Sequence, residues 1–374
     1  MRVGLDGTSV WGSPVGQYTY MANLIRNIVL LGSNHDFTIY CRKVVPDEFR
    51  CISDRVTFKI CKFNNRKMCE QISIPCFAYR DHVDLIHTCW IHPLIYMGKS
   101  VVTIHGLEWR THPDVPIHSR INTLYYKTTI ENTARKATRL IAISKFIKQA
   151  FIDELNVPEE KIDVVYHGVN LNIYNRITDE EQLKKVKNKY NLPDRFILFV
   201  GAMVANKNLV RLIKAFQAIR NEPDNKDVGL VIAGIQAWNS KPIIELAKKL
   251  KIERHVTFAG FVPIEDMSSL YTLSTLYAFP SIVEGFGLPI LEAFACETAV
   301  ITSNVTAMPE VAGDAAILID PYNVDEIADA MVKVLSDESL QKAMIKKGLE
   351  RAKNFTWKNT AEKTLEVYKK AIAS

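Results

Sequence analysis

Two glutamates bracket two glycines within a stretch of nine residues. Glu284 stands directly before Gly285, Gly287 follows, and Glu292 lies eight residues after Glu284. The flanking pattern predicts a strand before the glycines and a helix after them. Free backbone N–H groups of such a turn point toward one place, and with the positive end of the helix dipole they favour a phosphate or diphosphate. Glycine permits the close backbone approach that side chains would block.

The two carboxylates need hydrogen-bond donors, because an acidic side chain beside a bound phosphate is otherwise unfavourable. Vicinal sugar hydroxyls are donors of the right kind. We therefore assign Glu292 to a ribose diol and Glu284 to the hydroxyls of a transferred sugar. From the residues alone, an ordinary strand–turn–helix in which Glu292 stabilises the helix dipole is the alternative interpretation.

The elements that position these residues alternate regularly along the 374-residue chain. Strand, turn and helix patterns repeat, which predicts an α/β protein with parallel sheets. A charged stretch between Asn170 and Pro193 interrupts the rhythm, so we place a domain boundary there. We predict two Rossmann-like, doubly wound domains facing a central cleft, over residues 1–172 and 173–356. Ligands bind such sheets at the carboxyl ends of the strands.

Single elements can be bounded in advance. Ser144 is placed to cap a helix that runs to about Leu155. Two long helices are predicted at the end of the chain, over Ser339–Asn354 and Trp357–Ile372. The predicted strands are Met1–Leu5, Phe37–Cys41, Val56–Cys61, Leu85–His87, Ser100–His105, Arg139–Ile143, Asp163–Tyr166, Phe196–Val200, Gly229–Ala233, His255–Phe258, Leu276–Phe279, Ala299–Thr302 and Ala316–Ile319.

Composition excludes several classes of protein. Hydrophobic residues make up 48% and charged residues 24%, as in ordinary globular chains. The amino terminus lacks the features of a secretory signal, which predicts a cytoplasmic protein. Of the net charge of +6, residues 1–172 carry +5. A solvated basic face is the first interpretation, and an anionic acceptor or a peripheral membrane contact is the second. Zinc-finger and RNA-recognition motifs are missing, so no nucleic-acid partner is expected.

The motifs occur in an order that resembles glycosyltransferase family 4, whose members are retaining enzymes of the GT-B fold with nucleotide-sugar donors. The resemblance covers almost the whole chain and is greatest to mannosyltransferases of surface polysaccharide assembly. Its two-glutamate signature is Glu284 to Glu292. The other matching segments are Gly16-Gln-Tyr, Val102-Thr-Ile-His-Gly106, Ile141-Ala-Ile-Ser144, Val164-Val-Tyr-His-Gly-Val169, Gly201 to Leu209, Pro309-Glu-Val-Ala-Gly313 and Asp320-Pro321.

The resemblance implies a role for individual positions. His105 would face the donor sugar near its reacting carbon, and it forms the catalytic set together with Glu284. Lys207 would meet the diphosphate and offset charge on the leaving group. The final helix, about 357–374, would pack back on the first domain. The donor-binding set is Gly16, Lys207, Val262, Gly285, Phe286, Gly287, Leu288 and Glu292.

The predicted function is therefore a retaining, metal-independent hexosyltransferase without a cofactor. It would move a hexose, mannose as the first choice, from GDP-mannose or a UDP-hexose to a hydroxyl of a glycan or lipid-linked acceptor. Many relatives carry an arginine where this chain has Ala202, so one phosphate contact is missing, and Arg211 is a candidate replacement. The alternatives are a sugar-nucleotide epimerase of similar fold and a non-catalytic nucleotide-sugar-binding protein.

Overall fold

The computed structural model describes residues 1–10, 16–32, 34–45, 49, 54–115, 120–235 and 240–374. These residues divide into two compact units. Unit 1 comprises Met1–Thr111, His118–Gly168 and the carboxyl-terminal Trp357–Ser374, and unit 2 comprises His112–Ile117 and Val169–Thr356. The loop before Gly16, which the sequence singles out as glycine-rich, lies mostly outside the described residues.

Unit 1 is built on a seven-stranded parallel sheet with the order β3-β2-β1-β4-β5-β6-β7. Strands β4 and β5 are buried along their whole length, as expected for parallel strands with helices on both faces. The strands are β1 (Arg2–Gly7), β2 (Asp36–Cys41), β3 (Val56–Ile60), β4 (Leu85–Cys89), β5 (Ser100–Ile104), β6 (Arg139–Ala142) and β7 (Ile162–Val164).

Unit 2 repeats the plan with six parallel strands in the order β10-β9-β8-β11-β12-β13. The apolar run Phe196–Val200 forms the third strand of that order and pairs with its neighbours on both sides. The strands are β8 (Phe196–Val200), β9 (Gly229–Ala233), β10 (Val256–Gly260), β11 (Leu276–Phe279), β12 (Val300–Ser303) and β13 (Ile317–Ile319).

The helices begin where the sequence supplies caps. Ser144 Oγ accepts a hydrogen bond from the N–H of Ile147 at 3.1 Å, and Asp179 and Asn323 cap their helices in the same way. The helices are α1 (Gln17–Leu31), α2 (Arg66–Met68), α3 (Ile74–Arg80), α4 (Glu108–Thr111), α5 (Arg120–Lys136), α6 (Lys145–Leu155), α7 (Glu180–Lys189), α8 (Leu209–Ile219), α9 (Ser240–Lys249), α10 (Ile264–Leu273), α11 (Leu288–Ala295), α12 (Met308–Ala312), α13 (Val324–Ser336), α14 (Glu338–Lys353) and α15 (Trp357–Ala373).

Helix α15 returns the end of the chain to unit 1, where it packs on α1 and the central strands. Tyr368 OH lies 2.6 Å from Nδ1 of the buried His87 on β4. Each predicted strand is present within two residues at its ends. Pro289 is the second residue of α11, which begins at Leu288.

Two further features are the state of the cysteines and the apolar character of the helices. The six described cysteines are unpaired thiols, five of them buried, and Cys51 lies outside the described residues. Across the described ranges, every helix falls short of the length and apolar character that crossing a bilayer requires.

Candidate functional site

The loop between β11 and α11 carries the glutamate pair and is held in place by two asparagines. The N–H of Ile282 donates to the carbonyl of Asn206 at 2.7 Å, and Asn206 Nδ2 donates to the carbonyl of Val283 at 3.1 Å. Asn208 Nδ2 donates to the carbonyl of Pro280 at 3.0 Å. The loop is therefore fixed by side-chain amides from the segment between β8 and α8. Neither asparagine was assigned a role from the sequence.

The segment that follows Glu284 forms a backbone turn. Gly285, Phe286 and Gly287 are buried, and Leu288 is partly exposed. Gly287 has a φ of 106° and begins α11, a backbone conformation that favours glycine. Within the described residues, the N–H groups of Gly285, Gly287 and Leu288 donate to no other group. Unused N–H donors at the first turn of a helix attract an anion.

Lys207 and Glu284 form an ion pair. Lys207 Nζ lies 2.5 Å from Glu284 Oε1, and the side chains are 17% and 14% exposed. Lys207 ends a short 3₁₀ turn, Ala205–Lys207, and its ammonium lies 5.1 Å from the centre of the Phe279 ring. The structure thus brings together the cation and one carboxylate that the sequence analysis assigned to the donor site.

Glu292 lies in α11 in a different environment. Burial raises the pKa of the Glu292 carboxyl to about 7, and hydrogen bonds from the hydroxyls of Tyr271 and Tyr174 oppose that shift. Tyr271 OH donates to Glu292 Oε2 at 3.1 Å. The two glutamates therefore differ: Glu284 is paired with a cation, whereas Glu292 is held by phenols and changes protonation near neutral pH. Neither tyrosine was identified from the sequence.

Two other residues of unit 2 that the sequence singled out have a simpler packing role. The Val262 side chain is buried and the preceding Phe261 is 51% exposed, so any ligand contact by this turn would come from its backbone. Arg211, the candidate replacement for the arginine missing at Ala202, donates to Asn208 Oδ1 at 3.0 Å. Its guanidinium also lies over the Tyr322 ring at 5.3 Å.

The two predicted site residues of unit 1 lie at the ends of secondary-structure elements. Gly16 precedes α1 with a φ of 45°, and a Cβ there would meet no atom within 4 Å. His105 directly follows β5, and its ring contacts Tyr20 at 4.8 Å and His167 at 5.3 Å between ring centres.

The surroundings of His105 determine its charge. Burial lowers the pKa of His105 well below its ordinary value, and the imidazole of His167 lowers it further. Its Nε2 is buried without a hydrogen-bond partner among the described residues. A neutral imidazole can orient a hydroxyl or polarise a bond, but it carries no charge to the site. The aromatic surroundings of His105 come from distant parts of the sequence, which is why the sequence analysis missed them.

Known proteins resemble this chain in sequence and in fold. Residues 15–173 match the family described as Glycosyltransferase Family 4, and residues 180–351 match the one described as Glycosyl transferases group 1. The O-antigen chain mannosyltransferase B of Escherichia coli is 30% identical over 298 residues, which are 78% of this chain and 76% of that protein. The serotype-specific mannosyltransferase WbdA of the same species is 31% identical over 248 residues, which are 64% of this chain and 29% of that protein.

Solved structures of similar fold match this chain over its whole length. Sucrose-phosphate synthase from Thermosynechococcus elongatus has a TM-score of 0.76 at 20% identity and covers 100% of this chain and 99% of its own. Anabaena Alr3699/HepE in complex with UDP and glucose has a TM-score of 0.75 at 17% identity, with coverages of 99% and 100%.

Two doubly wound parallel-sheet domains with these neighbours define the GT-B class of fold. The chain belongs to glycosyltransferase family 4. The sequence-based prediction of family and fold is thereby confirmed, whereas the roles of the site residues stay predictions.

Proposed function

We propose that this glycosyltransferase transfers a mannosyl residue from GDP-mannose, with retention of configuration, to a hydroxyl of a glycan or lipid-linked acceptor. The observation that carries the proposal is the loop at Glu284. It combines unused N–H donors with a paired lysine, and it leads into the helix that carries the second carboxylate, Glu292. The choice of mannose is supported by the mannosyltransferases among the relatives, and a UDP-hexose is the second donor.

In this proposal the donor diphosphate binds the N–H groups of Gly285–Leu288. Lys207 exchanges Glu284 for the phosphate oxygens and stabilises the charge that develops as the diphosphate leaves. Glu284 is then available to accept hydrogen bonds from the hydroxyls of the transferred sugar. Glu292 binds the ribose diol through the carboxylate that Tyr271 orients.

Unit 1 supplies the remaining roles. Gly16 offers an open backbone to the diphosphate, and His105, as a neutral imidazole, contacts the donor sugar near its reacting carbon. A diphosphate is already a good leaving group, so the proposal needs no general acid, no metal and no cofactor besides the nucleotide sugar.

The test is a panel of nucleotide sugars assayed for transfer and for release of nucleoside diphosphate, in the presence of a metal chelator. We expect GDP-mannose to raise the midpoint of thermal unfolding most and to release GDP faster when acceptor is added. Glu292→Ala should weaken donor binding, and His105→Ala should lower kcat more than it raises the donor KM. The reverse pattern, or a need for metal, would contradict the assigned roles.

A non-catalytic nucleotide-sugar-binding protein is the second candidate, which Ala202 in place of the family's arginine favours. The same assay separates the two functions, because a protein that only binds the donor releases no nucleoside diphosphate. An epimerase would convert the sugar without transferring it to an acceptor.

We also propose that this cytoplasmic enzyme works at a membrane surface through an apolar face of unit 1. Leu94, Ile95 and Met97 are 49%, 55% and 78% exposed. The N–H of Leu94 donates to Gln71 Oε1 at 2.9 Å, and Lys136 Nζ lies 3.2 Å from the carbonyl of Leu94. Apolar side chains beside a lysine suit an anionic lipid surface. We call Leu94, Ile95 and Met97 the apolar face.

Part of the positive charge of residues 1–172, from which the sequence predicts a solvated face or else an acceptor or membrane contact, lies in the basic stretch from Lys59 to Lys67. The apolar face is a different segment. Lys59 forms an ion pair with Asp81. Arg66 Nε lies 2.5 Å from Glu70 Oε1. The charges of that stretch are therefore partly satisfied within unit 1.

A further inference from the structure

A cavity of about 440 Å³ lies in unit 1, and none of the residues assigned to the donor lines it. Arg42, directly after β2, and Trp90, directly after β4, both line it. From β1 the chain proceeds to β2 and β3 on one side and then returns to β4 on the other side. The cavity therefore lies at the carboxyl end of the sheet near its topological switch point, where open α/β sheets bind ligands.

Trp90 has features that ordinary packing does not require. Its φ of 75° is a conformation that bulky side chains rarely adopt, and such strain clusters at functional sites. The indole Nε1 is buried without a partner among the described residues. The Trp90 ring lies 5.6 Å from the Tyr126 ring and 5.9 Å from the His105 ring. One aromatic surface thus runs from the cavity wall to the proposed catalytic histidine.

The charges around the cavity favour an anion. Three cationic side chains line it, Arg42, Arg66 and Lys67, against the single carboxylate of Glu70. Lys67 Nζ lies 4.0 Å from the centre of the Tyr125 ring. Arg66 Nε lies 2.5 Å from Glu70 Oε1, so this pair is balanced within itself and the net positive charge of the lining comes from Arg42 and Lys67. Glu70 also lies in the π-helical turn Cys69–Ser73, a deformation common at functional sites.

We propose that this cavity is the acceptor site and that it binds a sugar phosphate. The apolar face of the sugar ring packs on Trp90 and Tyr126, the phosphate lies at Arg42 and Lys67, and a ring hydroxyl is thereby presented beside His105. The inference rests on the proposed function. The phosphate has two sources, the C1 phosphate of a lipid-linked sugar and a phosphate on another carbon of a glycan.

Calorimetric titration of the full chain separates these sources. The probes are mannose 1-phosphate, mannose 6-phosphate, mannose and inorganic phosphate. We expect a sugar phosphate to bind at least about tenfold more tightly than mannose or inorganic phosphate, since charge-assisted hydrogen bonds add to ring packing. Preference for the 1-phosphate supports the lipid-linked source, and preference for the 6-phosphate supports the other. Equal affinity for mannose and both of its phosphates overturns the proposal.

Variants locate the site. Arg42→Gln should raise the Kd for the sugar phosphate by about tenfold to a hundredfold and leave the Kd for the nucleotide sugar unchanged. Trp90→Leu should weaken the binding of mannose and of both mannose phosphates to the same extent. Arg80→Gln, at an exposed arginine of α3, is the matched control and should change neither affinity.

The two proposals fail in different ways. If the wild-type chain transfers mannose while Arg42→Gln leaves the acceptor KM unchanged, the acceptor site is wrong and the proposed function stands. If the wild-type chain binds no nucleotide sugar yet binds a sugar phosphate through Arg42, the proposed function fails and the cavity remains a sugar-phosphate site. Circular dichroism of Trp90→Leu checks its folding, and Arg42→Gln carries the test if that variant is unfolded.

Discussion

Glu284 and Glu292 show how two identical side chains acquire different chemistry from their surroundings. Glu284 Oε1 lies 2.5 Å from the ammonium of Lys207. Glu292 has phenols as partners instead, and burial raises its pKa to about 7. The spacing of the two glutamates in the sequence predicts a shared function. It does not predict the difference in their surroundings, because the tertiary fold brings their partners Lys207 and Tyr271 to them.

The pKa of Glu292 predicts a pH-dependent stability. In the unfolded chain its carboxyl titrates near its ordinary value of 4.5, and in the folded chain at a pKa of about 7. Between these values the folded state binds more protons, so its stability falls as pH rises, and the loss is complete above pH 7. Glu292→Gln removes this group. The stability of the variant relative to wild type should therefore rise from pH 5 to pH 8, by an amount on the order of 2–3 kcal/mol.

The measurement is the midpoint of urea unfolding at several pH values between 5 and 8, followed by a probe of unit 2. Glu245→Gln, at an exposed position of α9, serves as the control and should keep a constant offset from wild type. A constant offset for Glu292→Gln as well would show that its carboxyl titrates normally in the folded protein.

At the scale of elements, the turn into α11 depends on one backbone conformation. Gly287 has a φ of 106°, and a Cβ added there would lie 3.1 Å from Cδ1 of Ile290. We expect Gly287→Ala to destabilise unit 2 by about 1–3 kcal/mol, through backbone strain together with the close contact to Ile290. The same change should displace the N–H groups of the turn and weaken nucleotide-sugar binding.

Gly16→Ala is the matched comparison for that prediction. Its φ of 45° is also positive, but a Cβ there would meet no atom within 4 Å. It should therefore cost less stability than Gly287→Ala in urea unfolding. If Gly287→Ala keeps both the stability and the nucleotide-sugar Kd of wild type, the turn is not the donor site.

The elements were largely predictable, whereas the contacts between them were not. Ser144 is a cap that can be recognised from its residue type and its position before an apolar helix, and it forms the expected hydrogen bond. The strand Phe196–Val200 was predicted from a short apolar run. Asn208, by contrast, has a left-handed conformation and bonds two distant carbonyls. Asparagine tolerates that conformation, so a turn could have been inferred, but its partners depend on the folded chain.

Trp90 is a stronger case of the same limit. Its position after a strand was visible in the sequence, but neither its positive φ nor its contact with His105 was. The ring contacts of Trp90 join residues that follow β4 and β5 to Tyr126 of α5, and no local pattern encodes such a contact. A site formed within one loop could therefore be predicted in outline from the sequence. Contacts between residues of different elements could not.

At the scale of the whole molecule, the apolar face predicts lipid binding. Leu94→Ser combined with Met97→Ser removes two exposed apolar side chains, and we expect about a tenfold or greater loss of affinity for vesicles that contain anionic phospholipid. Vesicle sedimentation measures this. Leu124→Ser removes a 64% exposed leucine of α5 in the same unit, and it should leave binding unchanged. An equal loss of vesicle affinity in the double variant and in Leu124→Ser would indicate nonspecific adsorption.

Helix α15 makes the stability of unit 1 depend on the end of the chain. Tyr368 OH reaches Nδ1 of His87 at 2.6 Å, while Nε2 of that ring lies 2.7 Å from Thr103 Oγ1. Tyr368→Phe would leave a buried imidazole nitrogen without its partner, which costs about 1–3 kcal/mol. Because all three residues belong to unit 1, we expect its calorimetric transition to move to lower temperature while that of unit 2 stays in place.

Tyr322→Phe tests whether such a shift is specific. Tyr322 is 52% exposed and belongs to unit 2, so the loss of its hydroxyl should move neither transition appreciably. A nucleotide sugar should raise the transition of unit 2 most, because that unit supplies most of the proposed donor contacts, and this assigns the two transitions independently. If Tyr368→Phe shifts both transitions equally, the two units unfold as one cooperative structure. The last helix would then stabilise the whole chain and not unit 1 alone.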